Sequence, residues 1–326
     1  MVTNVVTPPT MSAYQEVAGT GRMRGPMLPF ALVMSLPVVR RARLVPSRLL
    51  ASLLLVAAAC APAPNSPATM AAPAAAPLVI QGAMPVETDA LVAALAGAVE
   101  VRIQGWTFWT GTLDGHPVIV SKTLKGMTNA AAATALAIER FHPAGIVNQG
   151  TAGGHDPALY VGDIVIGAAS VNIGAFKTGT RARGQGTSFD EWRPMDLIRT
   201  EGSAGQDPNA WVMRRFPAGA ALLAAAKAVA PRYTAGVAVE GVIGSSDVWN
   251  SERDRIARMH DAYGTSVEEM ETAAAAQVAA ASGVPFLGIR VLSNNITNDG
   301  VYSAASAAAC QRFVLDVVRE FLRTQG

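Results

Sequence analysis

Carboxylate and amide side chains gather at four places where apolar runs give way to polar ones. Glu87 follows Leu78-Val79-Ile80. Thr151, Ala152 and Gly153 lie in the glycine-rich stretch Gln149–Gly154. Glu268-Glu269-Met270-Glu271 precedes a run of alanines, and Ser293-Asn294-Asn295 ends the strand pattern Ile289-Arg290-Val291-Leu292. Carboxylates serve as general acids, bases and hydrogen-bond acceptors, whereas amides both donate and accept. Open α/β folds collect ligands outside the carboxyl ends of their strands, so polar residues at such ends are read first as chemistry.

Each cluster alone is weak. The glycine-rich stretch, read as a turn, lacks the spacing of a dinucleotide site and the lysine of a P-loop. The acids before the alanines suit the first turn of a helix as caps. In such a helix Glu269 and Glu271 cannot share one face, so one is expected to point inward, where a buried carboxylate needs a partner.

The elements that must position these groups alternate. Strand patterns at Leu78–Ile80, Val118–Val120, Ala144–Asn148, Gly162–Ile166, Gly241–Gly244 and Pro285–Leu292 are interspersed with helical patterns. The helices are expected over Val86–Leu95, Ala130–Ile138, Val267–Ser282 and Ser303–Leu322. This order predicts an α/β fold with a buried mixed or parallel sheet. Between Ala169 and Pro217 the pattern fades into Gly, Thr, Arg and Pro with Trp192 and Trp211, the composition of a lid, binding loop or partner contact.

Half of the 326 residues are hydrophobic and only 6% aromatic, which is enough for a sizeable core of small side chains. The net charge of +2 is unevenly spread. Residues 1–60 hold six arginines against Glu16, leaving 20 of the 26 basic and 23 of the 24 acidic side chains to the remainder. That body, at −3, lacks a nucleic-acid footprint. Its four histidines, scattered and unpaired with cysteine, argue against zinc.

Arg40–Arg48 precede the apolar run Leu49–Ala59 and Cys60, in the order of an export signal. The reading is a periplasmic protein, processed after Ala59 or lipid-anchored at Cys60, although Ala57 stands where a lipoprotein site usually has Leu. Residues 1–33 are an extension with no place in such a signal, 34–60 the signal, 61–77 an Ala/Pro-rich tether, and 78–326 the folded domain. Once Cys60 is removed or lipidated, Cys310 has no disulfide partner.

In this order the clusters resemble the nucleoside phosphorylase superfamily, and within it purine nucleosidases such as methylthioadenosine/S-adenosylhomocysteine nucleosidase. The resemblance runs from Leu78 to about Leu322. It rests on Gly82-Ala83-Met84 with Glu87, Asn148 through Gly154, Val161 through Val165, Ser245-Ser246-Asp247, Glu269-Met270-Glu271, and Val284-Pro285-Phe286 through Arg290. It implies a single domain with a central mixed β-sheet flanked by helices, a purine nucleoside substrate, no cofactor, and a site completed across a homodimer.

By the same resemblance Glu87 orients or deprotonates the attacking water, Glu271 binds the ribose hydroxyls and Met270 packs on the ribose. Trp249 stacks on the purine, Asn250 offers backbone groups to the base edge, and Thr151, Ala152 and Gly153 line the water side of the sugar. Glu269 and Ser293 count among the substrate-binding residues, and Arg290 matches a buried ion-pair arginine. The stretch Gly150–Gly153 offers no cation and Glu87 would repel an anion, so water is the expected nucleophile rather than phosphate.

One position departs from the pattern. Adenine-directed nucleosidases have Ser-Asp where this chain has Ser293-Asn294, and the aspartate assists N7 of the leaving purine. Asparagine cannot act as that acid but can donate a hydrogen bond, which suits 6-oxopurines. Asp299 is a candidate substitute acid. Alternatives are a methylthioadenosine/S-adenosylhomocysteine-type nucleosidase that tolerates Asn294, a purine nucleoside phosphorylase, and a nucleoside-binding relative without catalysis.

Overall fold

Side chains of the first strand, β1 (Leu78–Gly82), divide by parity: Leu78 and Ile80 enter one hydrophobic core and Val79 the other. The same split recurs in β4 (His116–Lys122), where Val118 and Val120 oppose Ile119. It recurs again in β5 (Gly145–Gly154), where Val147 opposes Ile146. A strand buried on both faces reads as an unbroken apolar run because successive side chains need two apolar layers.

Helices supply those layers. On one side pack α1 (Pro85–Ala93), α3 (Ala220–Val229) and α6 (Ser306–Gln325), through Leu91, Leu222 and Val229, and Phe313, Val317 and Phe321. On the other, α2 (Met127–Phe141) and α5 (Thr272–Ala281) bring Ala130 and Ala137 together with Ala275, Ala276 and Ala279. The small side chains anticipated from composition thus form the layer where these two helices meet the sheet.

The remaining sheet strands are β2 (Ala96–Ile103), β3 (Trp106–Leu113), β6 (Ile164–Asn172), β9 (Arg215–Pro217), β10 (Ala238–Ser245), β11 (Val267–Glu269) and β12 (Phe286–Asn294). The short β7 (Phe176–Lys177) and β8 (Arg193–Pro194) pair with each other, and α4 (Arg253–Tyr263) follows β10. The main sheet runs β11-β10-β6-β12-β5-β1-β4-β3-β2, with β9 on β6. It is mixed: β1, β4, β5 and β12 pair in parallel, whereas β6 meets β12 antiparallel. Because β11 pairs with both β10 and β5, five of the strands close on themselves around Ala152, Val165, Ile243, Val267 and Leu292.

The computed structural model describes residues 75–186, 191–194 and 215–325, all within one compact unit, Thr69–Gly326. The extension 1–33, the export signal 34–60 with Cys60, nearly all of the tether 61–77, and Trp211 lie outside the described residues. The first element among the described residues, β1, begins at Leu78.

Several local expectations change. The glycine-rich stretch is no turn but the end of β5, held by β12 on one side and by β11 at Gly153 and Gly154. Ladder hydrogen bonds from two neighbours override glycine's preference for turns. The expected helix over Val267–Ser282 is a strand up to Glu269, then a helix from Thr272 whose N-cap is Glu271. The pattern does not fade at Ala169, since β6 continues to Asn172 and β9 returns to it. The hairpin β2–β3 and helices α3 and α4 were not anticipated. β2 is a largely exposed edge strand with little apolar alternation to read.

Candidate active site

The carboxyl ends of β1, β5 and β12 open on one cavity of about 320 Å³, within the range of small-molecule sites. All eleven site residues proposed from sequence border it: Glu87, Thr151, Ala152, Gly153, Trp249, Asn250, Glu269, Met270, Glu271, Ser293 and Asn294. The structure adds Ala83, Met84, Lys125, Val248, Glu268 and Tyr302. Lys125 is therefore a cation at the cavity that the glycine-rich stretch alone did not reveal.

Glu87 is held from two strand ends. It is the third residue of α1, which starts at Pro85, whose fixed φ suits a first helical position. Its Oε2 accepts from Ala83 N at 2.9 Å and Met84 N at 3.2 Å; its Oε1 accepts from Thr151 N at 2.9 Å and the Thr151 hydroxyl at 3.0 Å. This close approach explains Gly150, where a Cβ would stand 2.6 Å from Glu87 Oε1.

The acidic triplet separates into three environments. Glu269 Oε2 accepts from Arg290 Nη2 at 2.5 Å and Nε at 3.1 Å, and from Glu271 N and Thr272 N, both at 3.0 Å. The Ser245 hydroxyl donates to Oε1. Burial by itself would raise the Glu269 carboxyl, but Arg290 and these donors outweigh it and hold it below the ordinary carboxylate range. Glu269 is thus the inward-pointing acid, and its hydrogen-bonding capacity is taken by protein rather than offered to a ligand. Arg290, 1% exposed, also donates to Asn148 Oδ1 at 2.6 Å, so it is the buried ion-pair arginine expected.

Glu271 keeps more of its capacity. It accepts from Gly126 N at 2.9 Å and lies 3.9 Å from Arg290. Burial, and next the Glu269 carboxylate, push its carboxyl up to about 8 against the pull of Arg290 and the Gly126 N–H. Glu268 faces the cavity from the other side of the triplet, with His155 Nε2 3.1 Å and Arg255 Nη1 3.6 Å from its Oε2. Sequence reasoning passed over Glu268 as a helix cap. A strand assignment for 267–269, with its two-residue alternation, would have separated it from Glu269.

The three residues that end β12 also divide. Ser293 donates to Ala152 O at 3.1 Å and lies 3.2 Å from Asn294 Oδ1. Asn294 borders the cavity. Asn295 is fully buried and structural, its amide donating to Asp156 O and Leu159 O and accepting from Thr297 N. Asp299 does not serve as a substitute acid: it is turned outward, paired with Arg253 at 2.6 Å, and absent from the cavity wall. Trp249 stands at the rim, 75% exposed.

A mixed sheet flanked by helices, with carboxylates converging on a cavity at its strand ends, defines an α/β protein with a small-molecule site of enzyme type. Residues 77–323 match the family described as the phosphorylase superfamily. The chain is 36% identical over 225 residues to a 5′-methylthioadenosine/S-adenosylhomocysteine nucleosidase of Shewanella baltica, covering 68% of this chain and 84% of the relative. Among solved structures, the nucleosidase of the same name from Neisseria meningitidis, in complex with methylthio-immucillin-A, superposes with a TM-score of 0.60. It is 25% identical and covers 75% of this chain and 99% of its own. The one from Colwellia psychrerythraea, in complex with adenine, gives 0.59 at 29% identity, covering 75% and 95%. The chain belongs to the phosphorylase superfamily.

Proposed function

We propose that this protein is a purine nucleosidase, using water to break the N-glycosidic bond of a purine nucleoside and favouring 6-oxopurine bases. The observation that carries this reading is the setting of Glu87. Its four hydrogen bonds come from backbone N–H groups and one hydroxyl, with no cation, so the cavity floor presents a negative charge suited to water rather than to phosphate. Arg290 is engaged by Glu269, which leaves Lys125 at the edge as the cation nearest to hand.

In this mechanism the Thr151 hydroxyl turns aside and Glu87 accepts a hydrogen bond from the water. As the water oxygen bonds to the anomeric carbon, its proton passes to Glu87 and the glycosidic electron pair passes into the purine. Charge reaching N7 meets the Asn294 amide. The amide's donor is Nδ2, which stabilises the leaving base without transferring a proton. Glu271 holds the ribose hydroxyls, Met270 packs on the sugar and Trp249 covers the base.

The reading extends to export, with processing after Ala59 or a lipid anchor at Cys60, supported by the order Arg40–Arg48, Leu49–Ala59 and Cys60. It also extends to a homodimer, supported by Trp249, Val301 and Tyr302 standing exposed, two of them at the cavity mouth.

The test is to incubate the protein from about Ala61 onward with inosine, guanosine, adenosine and methylthioadenosine, with and without phosphate, and to separate the released bases. Phosphate-independent release of hypoxanthine or guanine supports the reading. Adenine release alone makes Asn294 a tolerated change, and dependence on phosphate overturns hydrolysis.

A further inference from the structure

Gly153 of β5 stands in register with Glu268 of β11 on one side and with Asn294 of β12 on the other. Both side chains border the cavity. Two strand spacings separate their backbones, about 10 Å. A flat heterocycle lying over Gly153 can therefore be hydrogen-bonded from both flanks, each bond at about 2.9 Å. Asn294 takes the flank described above. The opposite flank is an acid.

Glu268 is 8% exposed and braced from behind. His155 Nε2 lies 3.1 Å from its Oε2, and the other ring nitrogen lies 2.7 Å from the Thr265 hydroxyl. Arg255 Nη1 is 3.6 Å away and Asn250 Nδ2 donates at 3.3 Å. Among the described residues these contacts all fall on Oε2, which leaves Oε1 for a donor in the cavity. A carboxylate only accepts. It pairs with a purine edge bearing N1–H, and better with one bearing N1–H and a 2-amino group. Adenine presents a lone pair at N1 and meets it with repulsion.

Building on the nucleosidase reading, we infer that Glu268 selects purines whose edge remote from the sugar carries hydrogen-bond donors, with guanine-type bases fitting best. His155 is its positioning residue. The preference for 6-oxopurines then has two independent sources, an amide at the N7 side and a carboxylate at the N1 side.

The experiment compares kcat/KM for inosine, 1-methylinosine, guanosine and adenosine in the native protein and in Glu268→Gln, with calorimetric Kd values for hypoxanthine and 1-methylhypoxanthine in parallel. A hydrogen bond to a charged acceptor supports an expected preference of about tenfold or more for inosine over 1-methylinosine. In Glu268→Gln the ratio of inosine to adenosine falls by about tenfold or more. Equal use of inosine and 1-methylinosine overturns the inference, as does an inosine-to-adenosine ratio that the substitution leaves unmoved. If no nucleoside is cleaved, the hydrolase reading fails by itself and the two base affinities decide. Tighter binding of hypoxanthine upholds the role of Glu268, and equal binding overturns it.

Discussion

Arg290 donates to Glu269 at 2.5 Å while standing 3.9 Å from Glu271, so one guanidinium neutralises the first acid and leaves the second only partly compensated. The two carboxylates are two residues apart in sequence and are pushed in opposite directions, Glu269 below its ordinary range and Glu271 up to about 8.

Removing this arginine should be severe. Arg290→Met leaves Glu269 buried without a counter-charge, and breaking one side of a buried pair costs about 3–5 kcal/mol. Urea unfolding should show a loss of that order, and a loss under about 1 kcal/mol would mean that the pair does not anchor the fold.

The raised Glu271 carboxyl sets a pH dependence. Between the unfolded value near 4.5 and about 8, the native state holds more protons than the unfolded chain. Its contribution to stability is therefore fully present below the lower value and is lost as pH rises through the upper one. Thermal melting between pH 5 and 8.5 should show Glu271→Gln flattening the decline with pH. A parallel decline in both proteins would assign it to other groups.

Ligand binding should report the same proton. A diol donating to Glu271 favours the ionised carboxylate, so nucleoside binding at pH 7 should release protons. Calorimetry in buffers of different ionisation enthalpy measures this release directly, and proton uptake would contradict the assignment.

Glu87 and Gly150 form a second test. Glu87→Gln should lower kcat by about 10²–10⁴ if the acid takes a proton from water. Gly150→Ala places a methyl group 2.6 Å from Glu87 Oε1, and such overpacking costs about 1–3 kcal/mol of stability. It should also depress kcat, because Glu87 must move. Full activity in Gly150→Ala would show that the carboxylate position is not critical.

Asn294→Asp restores an ionisable group beside N7. Adenosine and methylthioadenosine turnover should rise relative to inosine, by about tenfold or more. An unchanged ratio would locate base selection elsewhere in the cavity.

Much of this was legible before any tertiary information. Leu78–Ile80 and Val118–Val120 are apolar at successive positions, and Ile289–Leu292 is so except at Arg290, as a strand covered on both faces requires, and each lies within a buried strand of the sheet. The polar clusters supplied nine of the eleven residues that border one cavity, because the ends of parallel strands share an edge of the sheet, and the family resemblance supplied Trp249 and Asn250. Edge strand β2, exposed along most of its length, carries no such signal.

What each acid does was decided only by the fold. Glu268, Glu269 and Glu271 are chemically identical and almost adjacent, and local periodicity predicted a helix for all three. Pairing of β11 with both β10 and β5 made the first two a strand and turned them to opposite sides. Their partners, His155, Ser245 and Arg290, come from distant parts of the chain. Burial and charge pairing depend on neighbours in space, and in low dielectric these set whether a carboxylate is a structural anchor, a ligand acceptor or a selector. The sequence by itself determined which residues would meet; only the tertiary structure decided which of them face the cavity and in what charge environment.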